Sequence, residues 1–468
     1  MTKGILKNKY FKDGGLYLFG NLFNKAIAFI TVPIFTRILS TSEYGIVSTY
    51  SSLVSILTVV VGLSLGNSIR NAFIDFKDDL QKFISSIFSL SFISFILITL
   101  LAVGINQKLH YISETLIILC CIQAFAAYII QSMVIKYMME GEAKKRTFLL
   151  VFPNMFATIL SVIFILNMDT NKEYGRIIPM FFVTSTVGFF CFFTYIFKGK
   201  TVYSGKYWKY ALPISIPLIF HGLSINILNT SDRIMLTAFR STSETGIYSV
   251  VYNIGLLATV VTTSLESVWI PYFTKKMVEN NKHDINSAAK VYIELCTIVF
   301  CFLLVIAPET LTIFASSKYN SGIPILAPVI LASYFQYLYT FAVNTEYYYR
   351  KTNIIAINTF IAAGINMALN FLFIPKFGAI AAATTTVVAY IISFLIHHRY
   401  CQKLDSGLFP LKIFAIPTAI MAVITIFQYA TLSNIIIRWI GGIIIIFAYF
   451  IFIMAKENTI LKRIIGKN

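Results

Sequence analysis

The feature that most constrains this chain is a succession of apolar segments, each close in length to a membrane-spanning helix. Hydrophobic residues make up 57% of the sequence and charged residues 12%, and the mean hydropathy is +0.76. A helix crosses the hydrocarbon core of a bilayer with about 20 apolar residues, and it pairs its own backbone polar groups. The segments are apolar on nearly all sides and do not alternate with a period of two, which excludes a transmembrane β-barrel. The sequence therefore predicts an all-α polytopic membrane protein.

Fourteen transmembrane helices are predicted, and no connecting segment is long enough to fold as a soluble domain. The first apolar run has span length and no small-residue cleavage site, so we predict a first helix and not a signal peptide. The six cysteines lack metal-ligand spacing and are predicted to be buried small hydrophobes, and no metal or cofactor is expected. The approximate spans are 15–36, 44–66, 83–104, 115–138, 148–168, 177–197, 211–231, 246–270, 291–312, 323–345, 354–374, 379–396, 409–430 and 435–455.

An internal repeat divides the chain. Residues 40–46 read STSEYGI and residues 241–247 read STSETGI, 201 positions later. The register continues along the next apolar run, where residues 58–60 and 259–261 both read TVV. A constant offset in the same context indicates duplication of one helical unit. We predict an N-terminal lobe over residues 1–200, a second lobe over 201–405, and an additional helix pair with a basic tail over 406–468.

Lysine and arginine are distributed unevenly over the predicted loops. With the N-terminus in the cytoplasm, 28 of these residues lie inside, 9 lie outside or at the outer interface, and Lys25 lies within a span. This bias is the positive-inside pattern, and it places both termini in the cytoplasm. The net charge of +18 then reflects topology and anionic lipid headgroups, not nucleic acid.

Six spans, an even number, separate the two copies of the repeat, so the two lobes are predicted to be parallel. They would be related by an axis along the membrane normal and would enclose a central cavity. Carriers built in this way bind substrate between their repeats and expose it alternately to the two sides of the membrane.

Polar residues inside the spans are the candidates for lining that cavity. Lys25 lies in the middle of the first span, with Asn21 and Asn24 on nearly the same face. A charge at this depth costs a few kcal/mol or more, so it normally faces a wet cavity or a partner. The alternatives for Lys25 are snorkelling along its stem and pairing with a carboxylate.

The repeat offset places Asn226 of the seventh span at the position equivalent to Lys25. Asn226, Asn229 and Arg233 follow i, i+3, i+7 spacing and therefore share one face of that helix. A lysine face and an asparagine–arginine face are predicted to lie opposite one another across the lobe interface.

Four further residues are weaker candidates. His221 could line the cavity or be a packing histidine, and Arg70 could contact substrate or anchor the end of the second span. Glu266 and Glu346 are candidates for binding a coupling ion, H⁺ or Na⁺. The alternatives are an interfacial position for either glutamate, or pairing with Arg350.

The eleventh and twelfth spans resemble a known family. Asn370 is followed by apolar residues, Ile374-Pro375, two residues and Gly378, and then by the run AAATTT at residues 381–386. Matching residues near the start of the chain are Pro33, Thr36, Arg37, Leu39, Glu43, Tyr44 and Gly45. The chain is similar over its whole length to Wzx-type oligosaccharide flippases of the multidrug/oligosaccharidyl-lipid/polysaccharide (MOP, MATE-like) superfamily.

This resemblance implies a function that composition does not show. Such flippases move an undecaprenyl-diphosphate-linked oligosaccharide across the bacterial cytoplasmic membrane for capsule, O-antigen or exopolysaccharide synthesis. Expected partners are this lipid-linked substrate, membrane lipids, a coupling ion and other polysaccharide-assembly proteins. One alternative is a MATE-like multidrug or cation antiporter, although carboxylates and not a lysine would then be expected in the cavity. The other is a membrane polymerase or ligase, which would need a catalytic constellation that the sequence does not offer.

Overall fold

The computed structural model describes residues 29–109 and 112–464, together with residues 16, 20, 23, 24, 26 and 27 of the first span. Every regular element in this part of the chain is a helix. The α-helices are α1 Phe29–Ile38, α2 Thr41–Val61, α3 Ile69–Asp75, α4 Leu80–Leu109, α5 Glu114–Met139, α6 Ala143–Leu166, α7 Lys172–Gly199, α8 Gly205–Phe239, α9 Thr242–Val278, α10 Lys282–Phe314, α11 Ile323–Tyr348, α12 Thr352–Leu404, α13 Lys412–Ala430 and α14 Ile435–Ile464. Short 3₁₀ helices lie at Leu65–Ser68, Lys77–Asp79 and Ser317–Gly322.

Twelve of the described helices are long and apolar enough to cross a membrane, and together with two further observations they account for the fourteen predicted spans. Helix α12 has 53 residues and contains two of the predicted spans, 354–374 and 379–396. The shorter apolar helix α1 belongs to the predicted first span, 15–36. The predicted all-α, multi-pass membrane fold is therefore confirmed.

The two arms of α12 meet at Gly378. Its backbone angles, φ 59° and ψ −138°, are not helical, and a side chain makes such positive φ values costly. Pro375 lies three residues earlier and has no N–H to donate to the preceding turn. The helical backbone is therefore interrupted at a proline and a glycine, two residue types that favour such a break.

Replacing Gly378 with alanine is expected to destabilise the protein by about 1–3 kcal/mol, the usual cost of backbone strain of this kind. Thermal unfolding of the purified protein in detergent measures the loss. Gly364→Ala is the matched control, because it lies in the same helix with open space around the position of an added Cβ. An unchanged melting temperature for Gly378→Ala would show that the bend tolerates a side chain.

The second span ends earlier than predicted. Helix α2 stops at Val61, and Leu63 and Ser64 have φ values of 48° and 50°. An added Cβ at Gly62 would lie 2.1 Å from the ring of Tyr128, so only glycine fits against α5 at this point. The predicted span 44–66 therefore ends in the 3₁₀ turn Leu65–Ser68 that follows α2, and the short helix α3 lies beyond it.

Two compact units make up the chain, Met1–Gly246 and Ile247–Asn468. The first has an aromatic core in which Phe125 packs against Phe92, Phe95 and Phe192. The lobes predicted from the repeat, 1–200 and 201–405, with the pair at 406–468, stay a prediction.

In the second unit, Trp269 is buried and packs against Phe341 and Phe409. All six cysteines of the chain are buried and free, as predicted. Cys401 falls between the predicted spans 379–396 and 409–430, and the structure places it in α12.

Candidate functional site

The first group of predicted cavity residues lies only partly in the described structure. Asn21 and Lys25 lie outside the described residues. Asn24 is half-buried, and its Oδ1 accepts a hydrogen bond of 2.9 Å from Nδ2 of Asn154 in α6. The sequence did not single out Asn154, although an asparagine inside an apolar span is the kind of signal that would have identified it.

The polar face predicted on α8 is present in the first unit. Oγ of Ser55 in α2 donates to Oδ1 of Asn226 at 2.5 Å, and Nδ2 of Asn226 donates to the carbonyl oxygen of Gly222 at 2.8 Å. Arg233 is buried, and its Nη1 donates to the backbone oxygen of Asn229 at 2.9 Å. The structure therefore places amide and guanidinium groups one above another along this helix.

Two other candidates in the first unit lie in different surroundings. His221 is half-buried on α8, one and a half turns before Asn226, and its Nδ1 has no hydrogen-bond partner within the described residues. Arg70 is exposed on α3, beyond the break that ends α2.

The two copies of the repeat contact each other inside the first unit. Thr41 Oγ1 lies 2.7 Å from Ser243 Oγ, and Ser42 Oγ lies 2.6 Å from Thr242 Oγ1. Each copy forms the first turn of a helix, α2 or α9, and each begins with a serine cap. Oγ of Ser40 accepts from the N–H of Glu43, and Oγ of Ser241 accepts from the N–H of Glu244, both at 3.2 Å.

Glycines bring the two backbones together at this contact. A Cβ added to Gly45 would lie 1.7 Å from the carbonyl oxygen of Thr242, and one added to Gly246 would lie 1.9 Å from that of Thr41. The two distances are nearly equal, as a local two-fold relation between the copies requires. We call Thr41–Gly45 with Thr242–Gly246 the repeat contact.

Further side-chain hydrogen bonds join α2 to α8 at positions that follow the repeat contact along α2. Thr49 Oγ1 lies 2.6 Å from Thr237 Oγ1, which in turn lies 2.8 Å from Thr245 Oγ1. The bond between Ser55 and Asn226 follows further along the same helices. Side-chain hydrogen bonds thus hold α2 and α8 together at several successive levels.

The two acidic candidates lie in the second unit. Glu266 is half-buried on α9, within electrostatic range of the phenols of Tyr337 and Tyr339. Glu346 is fully buried, and both its oxygens contact Nδ1 of His397, at 3.0 and 2.9 Å. The structure gives Glu346 a histidine as its partner, where the sequence suggested Arg350.

A second buried network in this unit joins the two arms of α12. Asn370 Nδ2 donates to Oδ1 of Asn366 at 3.1 Å, and Asn366 Nδ2 donates to Oγ1 of Thr386 at 3.3 Å. Thr385 donates to Oδ1 of Asn370. Asn370, Thr385 and Thr386 belong to the motif that carried the family resemblance, and Asn366 lies one turn before it. Their contacts give the motif a packing role on either side of Gly378.

Comparisons with known proteins agree on family and fold. Residues 11–277 match the model of the family described as polysaccharide biosynthesis protein. A protein of the Lsg locus of Haemophilus influenzae is 22% identical over 409 residues, which cover 82% of this chain and 98% of that protein. An uncharacterized membrane protein of the same organism is 23% identical over 403 residues, covering 82% and 96%.

Solved structures of two kinds share the fold. The lipid II flippase MurJ in an inward closed conformation superposes with a TM-score of 0.66 at 17% identity, over 96% of this chain and all of that one. An inward-facing multidrug resistance MATE family transporter of the MOP superfamily superposes with a TM-score of 0.60 at 15% identity, over 82% and 96%. The fold implied by the resemblance read from the sequence is thus confirmed. The family model spans more than half of the chain, and this chain belongs to the polysaccharide biosynthesis protein family.

Proposed function

We propose that this chain is a flippase that moves an undecaprenyl-diphosphate-linked oligosaccharide from the cytoplasmic to the outer leaflet of a bacterial cytoplasmic membrane. The product would serve capsule, O-antigen or exopolysaccharide synthesis. The observation that carries this proposal is the family match over residues 11–277. The fold shared with a lipid II flippase supports it. Both termini would lie in the cytoplasm, and other polysaccharide-assembly membrane proteins would be partners.

The substrate chemistry fits the polar residues of the first unit. A diphosphate is recognised best by cations, and a guanidinium offers a planar fork of donors that matches phosphate oxygens. Arg233 would supply the fork and Lys25 a point charge, while the amides of Asn24 and Asn226 suit sugar hydroxyls. The lipid tail would remain in the bilayer.

Alternating access would use the repeat contact. The contact holds the first turns of α2 and α9 together through two hydroxyl pairs. With both termini in the cytoplasm, as the positive-inside pattern predicts, these turns would lie on the outer side. We therefore assign the repeat contact as the outer gate, which is closed here and separates when substrate is released.

A MATE-like multidrug or cation antiporter is the second candidate. It is supported by the fold shared with MATE transporters and by Asp232, a buried carboxylate on α8 next to Arg233. Such a carboxylate could hold a cationic drug, whereas the adjacent guanidinium disfavours one.

Reconstitution into proteoliposomes distinguishes the two candidates. We expect the purified protein to accelerate transbilayer movement of a lipid-diphosphate oligosaccharide, scored by the access of an impermeant oxidant to the glycan. Uptake of organic cations should match that of protein-free vesicles. Cation exchange without any glycan movement would contradict the flippase proposal and support the antiporter.

A further inference from the structure

The second unit contains an acid–base pair in its interior. The side chains of Glu346 and His397 are 0% and 1% exposed, and the carboxylate contacts Nδ1 of the imidazole. Glu346 lies in the last two turns of α11, and His397 lies in the second arm of α12. Both helices belong to candidate membrane spans, where an ionisable pair is costly to bury without a purpose.

The neighbours of the pair come from several helical segments. Nδ2 of Asn358, in the first arm of α12, lies 3.5 Å from Nδ1 of His397. The ring of Tyr339 stacks on the imidazole, with centroids 5.5 Å apart. The titratable and charged groups nearby are Cys401 of α12, Tyr339 and Tyr347 of α11, Glu266 of α9, and the ion pair of Asp405 with Lys282.

The far side of the histidine ring is unsatisfied. Nε2 of His397 is buried and has no hydrogen-bond partner within the described residues. Because Nδ1 faces a carboxylate, Nδ1 carries the hydrogen, and Nε2 holds a lone pair in the neutral imidazole.

Neither charge state of the pair is fully satisfied in this conformation. With a neutral imidazole, the pair carries one uncompensated negative charge in a low-dielectric interior. A proton taken from water onto the Nε2 lone pair neutralises the pair but creates an N–H donor that lacks an acceptor. Proton occupancy therefore changes which arrangement of α11 and the two arms of α12 is favoured.

We propose that Glu346 and His397 form a proton-binding site that couples conformational change in the second unit to the proton gradient. The coupling role rests on the proposed transport function, but proton binding itself does not. Glu346 supplies the fixed counter-charge, and His397 takes up and releases the proton at Nε2.

Histidine NMR on the full chain in nanodiscs tests proton binding directly. The chain has five histidines, and the signal of His397 is the one that His397→Gln removes. We expect this signal to change from doubly protonated to neutral imidazole as the pH of the sample is raised. In Glu346→Gln the amide oxygen still accepts from Nδ1, so the fold is retained, but the imidazolium signal disappears because its counter-charge is gone.

His398 provides a matched control on the same helix. It is also buried, and its Nε2 donates a hydrogen bond of 2.8 Å to the carbonyl oxygen of Phe409. Its signal should be the same in the wild-type chain and in Glu346→Gln.

The coupling role is tested in proteoliposomes with an imposed pH gradient. The gradient should accelerate oligosaccharide movement by the wild-type chain and by His398→Gln. In Glu346→Gln the gradient should no longer accelerate oligosaccharide movement.

Two outcomes overturn the proposal. One is a His397 signal that stays in a single protonation state throughout the pH titration. The other is a Glu346→Gln chain that responds to the gradient as the wild-type chain does. If the wild-type chain moves no lipid-linked oligosaccharide at all, the flippase proposal fails, and the NMR result alone decides whether this pair binds a proton.

Discussion

A chain with cysteine in place of Thr41 and of Ser243 is expected to stop transporting when oxidised and to recover when reduced. The hydroxyl oxygens that the two sulfur atoms would replace lie 2.7 Å apart, close to the disulfide S–S length of about 2.05 Å. A bond at this point fixes the first turns of α2 and α9 together. If the repeat contact is the outer gate, the cross-linked chain cannot open outward, and transport should fall to the background of protein-free vesicles.

Single variants provide the control for this experiment. Thr41→Cys and Ser243→Cys alone should transport with and without oxidant, since all six native cysteines are buried. Mass spectrometry of the peptides confirms whether the bond has formed. Full transport by the cross-linked chain would remove the repeat contact from the mechanism.

The close approach of the two backbones at Gly45 and Gly246 explains why both copies of the repeat have glycine at this position. At either position a Cβ would come within 2 Å of a carbonyl oxygen of the other copy. The same motif also supplies the serine caps of two helices. One short sequence therefore ends a loop, starts a helix and forms half of a contact, and its duplication made the contact self-complementary.

Hydropathy was sufficient to predict most of the fold. Apolar runs of bilayer length have few folding options, because hydrocarbon leaves the backbone no partner outside its own helix. Where the runs were interrupted by unusual backbone angles, the boundaries were wrong. Helix α2 ends earlier than predicted because Leu63 and Ser64 adopt positive φ values, which are unusual for both residue types and could not be predicted from them.

The partners of the polar residues could not be predicted, because they depend on contacts between distant segments. Ser55 and Asn226 are 171 residues apart, and Glu346 and His397 are 51 apart. The sequence suggested pairing with Arg350. Helix α11 ends at Tyr348, however, and Arg350, with a φ of 58°, lies beyond the helix that carries Glu346.

The last prediction concerns Lys25, which we propose as an anion-binding residue for the substrate diphosphate. Lys25→Ala should lower affinity about tenfold or more, because a charge-assisted contact to phosphate is worth roughly 1.5–3 kcal/mol. Lys25 lies outside the described residues, so the prediction rests on its place in the middle of the first span. The neighbouring residue Asn24 supports it, because its hydrogen bond to Asn154 shows that polar side chains lie in this part of the first span.

Export of glycan in cells that depend on this chain measures the effect, with the amount of inserted protein determined in parallel. Lys25→Arg should retain part of the activity, because the positive charge remains although the head group is bulkier. Lys376→Ala is the matched control, since Lys376 is exposed on α12, and its removal should matter little. Normal export by Lys25→Ala would exclude this residue from substrate binding. A chain that fails to accumulate would show that Lys25 has a structural partner instead, because binding to a transient substrate does not govern insertion.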